Sequence, residues 1–155
     1  MSIFFRVTSD RLERKPRGPI WGDVWIETDE FCFPEEGWND IVVAVVNAFC
    51  DAVRNIPARG RFAKFDVRFM DGPLKIIFND HDDSHVRLDF LHYGKLSEPS
   101  VVVERRALTA AVAAGAADLL AACEARGWTK DNDVKILKKY HRAVVRQLAA
   151  YASPN

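Results

Sequence analysis

The sequence predicts an α+β domain, in which an antiparallel meander sheet packs on a buried helix and an antiparallel helical hairpin closes the chain. Three observations predict it. Segments 65–69, 74–78 and 86–90 alternate apolar and polar residues, and Asp71-Gly72 between the first two is a strong hairpin signal. The segment from Asn39 to Asn55 is apolar around most of a helix circumference, which suits an element lying between layers. Beyond Arg106 two helical patterns are separated only by Trp128-Thr129-Lys130, a connection short enough to make them antiparallel neighbours. The order is ββαββββαα.

Ser2 to Thr8 is rich in β-formers and reads as a strand, whereas Arg11 to Pro19, with two prolines and a glycine, reads as a loop. From Trp21 to Thr28 the residues Val24, Ile26 and Thr28 share one face and Trp25 and Glu27 the other. An Asp29-Glu30 turn and Phe31-Cys32-Phe33 complete a hairpin. Asn39 or Asp40 is placed to cap the first helix, whose apolar positions include Val42, Val46 and Phe49. Val42, Val46, Phe49, Phe65, Val67, Ile76 and Leu88 are the expected core. A turn at Asp80–Ser84 leads to the strand containing Val86, Leu88 and Phe90, and Ser100–Glu104 adds another. The next helix, to about Arg126, holds ten alanines between Ala107 and Ala125, with Gly127 as its stop. The last begins at an Asp131-Asn132-Asp133 capping cluster and carries Leu137, Tyr140, Val144, Leu148 and Tyr151 at steps of three and four.

Composition narrows the function. The 155 residues suit one domain, 1–155, and with 48% apolar types and ten Phe an ordinary core is attainable. Lys+Arg and Asp+Glu both number 22, so no overall field holds the molecule on nucleic acid or an anionic membrane. The N-terminus lacks the basic and apolar regions of a secretory signal. Uncharged stretches at 41–50 and 107–117 fall short of a membrane span. Three scattered cysteines, Cys32, Cys50 and Cys123, read as free thiols in a reducing cytoplasm.

No catalytic set stands out, and no cofactor is expected. The run Asn79 to His85 gathers three carboxylates and two imidazoles, a density that would serve a small metal-assisted enzyme. Counted as an EF-hand from Asp80, however, it has His85 where glycine belongs and Leu91 where glutamate belongs. A polar, metal-free hairpin tip is the expected reading. No glycine-rich phosphate cradle and no Gly-x-Ser-x-Gly elbow occur. Lys135, Lys138, Lys139, Arg142 and Arg146 form a basic stripe that would suit a nucleic-acid adaptor. Aromatic residues for base stacking are not interleaved, and a solvated face complementing the C-terminal half of a helix dipole is the simpler reading.

The charge map is the most informative feature. From Gly18 to Val53 there is no Lys or Arg but eight acids. Glu27, Asp29, Glu30, Glu35, Glu36 and Asp40, with Trp38 as an aromatic anchor, are the candidate partner-binding residues. A basic protein is the expected partner. Neither a membrane nor a nucleic acid is expected, and self-association stays open.

Phe33-Pro34-Glu35-Glu36-Gly37-Trp38-Asn39-Asp40-Ile41-Val42-Val43, then Phe69-Met70-Asp71-Gly72-Pro73 and Arg126-Gly127-Trp128, resemble segments of small bacterial proteins, some of them immunity proteins of polymorphic-toxin systems. The resemblance implies a small cytosolic α+β protein that binds a toxin domain. It carries over no catalytic set and no binding residues.

Overall fold

Alternation and capping place the elements much where the residues suggest, and packing of the central helix organises them. The structure, a computed structural model, describes residues 1–152. The N-terminal strands are β1 (Ile3–Val7), β2 (Glu13–Arg14), β3 (Ile20–Thr28), β4 (Cys32–Phe33) and β5 (Asn39–Asp40). Helix α1 (Val42–Arg54) follows, then β6 (Phe65–Arg68), β7 (Leu74–Asp82), β8 (His85–His92), β9 (Lys95–Leu96) and β10 (Val101–Glu104). Helices α2 (Arg105–Ala125) and α3 (Asn132–Ala150) end the chain. The α+β class and the antiparallel meander are as expected.

The N-terminal strands make a sheet of their own rather than a lone hairpin. Strand β3 is its centre, pairing antiparallel with β1, β2, β4 and β5. The second sheet runs β10-β8-β7-β6, with β9 on β8. The expected loop at Arg11–Pro19 holds β2 because Leu12, buried at its start, tethers it.

Helix α1 contacts β3, β6, α2 and α3, so it sits among layers. Phe49, with no exposed surface, has its ring centroid 4.7 Å from that of Phe5 of the first sheet, 5.8 Å from that of Phe69 just past β6 and 6.2 Å from that of Phe78 of the second sheet. The expected core residues are buried except Phe65, which is half-buried at an edge strand. The cap of α1 differs from expectation: the N-cap is Ile41, without a side-chain cap, because Asp40 is drawn into β5 opposite Gly22.

Helix α2, at 21 residues, is long and apolar enough to cross a membrane by length and composition, contrary to the expectation that no segment is. Its apolar surface is spent on β1, α1 and α3. Gly115 permits this closeness, since a Cβ there would lie 2.7 Å from Phe5 Cδ1 and 3.0 Å from the Phe5 carbonyl oxygen. Asp131 caps α3, accepting from the backbone N–H of Asp133 and Val134.

Candidate functional site

The acidic segment divides into surface and interior. Glu27 projects from the outer face of β3, where Arg6 holds it at 2.8 Å, and Asp29 accepts from the Ser2 backbone N–H at 3.0 Å. Glu30, Glu35 and Glu36 are exposed and form no ion pair among the described residues. Glu27 and Glu36 converge on Cys32, whose thiol is pushed up first by burial and then by these two carboxylates.

Asp40 and Trp38 depart from the expectation of a solvent-facing role. Asp40 has no exposed surface, and its carboxylate accepts from Trp38 Nε1 at 3.0 Å and from the backbone N–H of Ile41, Met70 and Asp71 at 2.7, 3.1 and 3.2 Å. A buried carboxylate needs such donors. Trp38 is half-buried against the core with its only donor committed, so its ring is a brace and not a free anchor.

Through Asp40 the loop carrying Glu35 and Glu36 is stitched to the β6–β7 turn. The Tyr93 N–H donates to Pro73 O at 3.0 Å, which adds the β8–β9 turn to the same end of the molecule. Tyr93 and Gly94 both have positive φ, 52° and 76°, the backbone of a tight hairpin turn that ordinarily selects Asn or Gly at the first position. The turn thrusts Tyr93 outward at 75% exposure, and Met70 stands 46% exposed beside it. A groove of ≈ 550 Å³ runs between them, lined also by Arg68, Pro73 and Lys75. On the other side of Met70 a second groove of ≈ 520 Å³ is lined by Asp51, Asn55, Phe65 and Asp66. Sequence reasoning missed Met70 and Tyr93, since a lone Met after a strand and a Tyr before a glycine carry no periodic signal. The Asp-Gly and Tyr-Gly dipeptides were the available clue.

The Asp80–His85 cluster is built for structure. Asp80 is 2.9 Å from Arg105 Nη2, and that guanidinium also donates to the carbonyls of Asp82 and Pro57 at 2.7 and 2.9 Å. Asp82 Oδ1 and Ser84 Oγ both lie 2.9 Å from the same nitrogen, His85 Nδ1. A nucleophile relay needs the two on opposite ring nitrogens, so this trio cannot act as one. Among the described residues no three His, Cys, Asp or Glu side chains gather as metal ligands. Cys50 and Cys123 are buried free thiols, pushed up by that burial to about 12 and about 11.

Compared with models of known protein families, with curated proteins and with solved structures, the chain matches none.

Proposed function

We propose that the protein is a non-enzymatic binding module for a basic protein partner. The acids Glu27, Asp29, Glu30, Glu35 and Glu36 steer the partner, and Met70 and Tyr93 anchor it. The observation that carries this reading is the exposure of Met70 and Tyr93: Asp40 holds the turn of Met70 against the acidic loop, and Pro73 holds the turn of Tyr93 against that of Met70. Aromatic and Met side chains are enriched at interfaces between proteins, and nearby unpaired carboxylates raise the rate of encounter with a cationic surface.

An immunity-type role, neutralising a toxin domain, is supported by the resemblance above: its two longest segments meet at Asp40. A cytoplasmic setting is supported by three free cysteines.

The test is co-purification from the native cell with wild type, with Glu30→Lys/Glu35→Lys/Glu36→Lys and with Met70→Ala/Tyr93→Ala run in parallel, each checked for folding by circular dichroism. A partner retained by wild type and lost by both variants is the expected result. Surface plasmon resonance with that partner then separates the roles: charge reversal slows association and flattens its salt dependence, and the double alanine variant speeds dissociation. A partner held equally by all three proteins places the interface elsewhere.

A further inference from the structure

The exposed face of α3 is a second surface of opposite sign. Lys135, Lys138, Lys139, Arg142 and Arg146 are all exposed, and none forms an ion pair among the described residues. At about 100° per residue they occupy an arc of roughly 100° and extend about 16 Å along the helix. The opposite side, with Val134, Leu137 and Val144 buried, packs on α1 and α2. The only acid in α3 is Asp133, in its first turn.

A helix dipole does not account for this ridge. Three of the five cations, Lys135, Lys138 and Lys139, lie in the N-terminal half of Asn132–Ala150, where the dipole opposes positive charge, and the last turn holds no basic residue. Nor does intrahelical pairing account for it, because Asp131, four residues before Lys135, is engaged by Arg14 at 3.4 Å and by the helix cap.

We infer that this ridge docks on the phosphate backbone of duplex nucleic acid, without sequence preference. Composition chooses this partner over an acidic protein: lysine is depleted from protein–protein interfaces, whereas Lys and Arg are the residues that neutralise phosphates. The arc also lacks an apolar centre, since Ile136 and Val145, both partly exposed, flank it. A helix 10–12 Å across fits a major groove about 12 Å wide, which places cations on both sides near the phosphates. No Asn or Gln lies on the arc to read base edges: Gln147 is turned inward, where its amide donates to the Ile56 carbonyl.

The inference is independent of the acidic-face reading, and its test uses a labelled random-sequence DNA duplex of about two helical turns followed by fluorescence anisotropy. Five contacts at a slope of about −0.9 each predict affinity that falls roughly 500-fold between about 50 and 200 mM salt. Lys135→Glu/Lys139→Glu/Arg142→Glu abolishes binding at the lower salt, whereas Lys64→Glu, an exposed cation in the loop before β6, leaves it within about twofold. Should the triple reversal unfold, Lys135→Gln/Lys139→Gln retains the fold and loses about two units of salt slope. Absence of duplex binding at the lower salt, or binding indifferent to these variants, overturns the inference. Poly-glutamate binding as tightly as the duplex overturns it in favour of an acidic protein partner.

Discussion

Arg105 donates to Asp80 across 2.9 Å, and this contact joins the first turn of α2 to the far end of the β7–β8 hairpin. The guanidinium is fully withdrawn from solvent, lies 5.1 Å from the Phe62 ring, and adds bonds to Pro57 O and Asp82 O. Arg105→Met leaves Asp80 and these carbonyls without a donor, so urea unfolding should register a loss of about 3–5 kcal/mol. Pairing it with Asp80→Leu should recover part of that loss, because the stranded charge is then gone. A single-variant loss below about 1 kcal/mol would contradict the buried arrangement.

Asp40 gives a second measurable consequence. Asp40→Ala strands Trp38 Nε1 and the N–H groups of Met70 and Asp71, and at about 1–3 kcal/mol for each buried donor the expected cost is about 3 kcal/mol or more. Trp38→Phe removes one donor and part of the indole, keeps an aromatic ring, and should cost less than Asp40→Ala. Equal costs for the two would mean that Asp40 is not the hub.

At Gly115, Ala is the better helix former by about 1 kcal/mol, yet its Cβ would meet the Phe5 ring at 2.7 Å and backbone oxygen at 3.0 Å. Overpacking against backbone costs about 1–3 kcal/mol, so Gly115→Ala should lower the melting temperature. A raised melting temperature would show that α2 can move off β1.

Asp82 supplies the pH dependence. Its carboxyl is lowered from the usual 3.8 to about 2, first by the Ser84 backbone N–H and then by His85. A depressed acid stabilises the fold above its unfolded pKa, and the contribution is lost as pH falls through its folded pKa. The stability gap between wild type and Asp82→Asn should therefore be present at about pH 4 and close towards pH 2. A gap that persists at pH 2 would assign the effect to something other than ionisation.

Much of the fold was legible because it rests on local periodicity. The alternation around Val67, Ile76 and Leu88, the apolar run through Phe49, and the stops at Gly127 and Asp131 each act within a few residues, and β6 to β8, α1 and α3 lie where they indicate. Short β2, β5 and β9 were not legible, since two residues are too few to show an alternating pattern. The candidate site was legible only as an excess of acid. That Asp40 is interior and Glu35 and Glu36 are not depends on the donors of Met70 and Asp71, some thirty residues on.

By itself the sequence determined class, the order of the main elements and the distribution of charge along the chain, because these follow from side-chain chemistry at short range. Only tertiary structure decided which charges face water, because burial of a charge depends on compensation by groups from other elements. Asp40 and Arg105 find that compensation and are interior, whereas the acids at Glu30, Glu35 and Glu36 and the cations of α3 do not and remain outside. Met70 and Tyr93 are displayed for a related reason: the turns that carry them are fastened by the Asp40 carboxylate and the Pro73 carbonyl, and among the described residues no neighbouring element reaches over to cover their side chains.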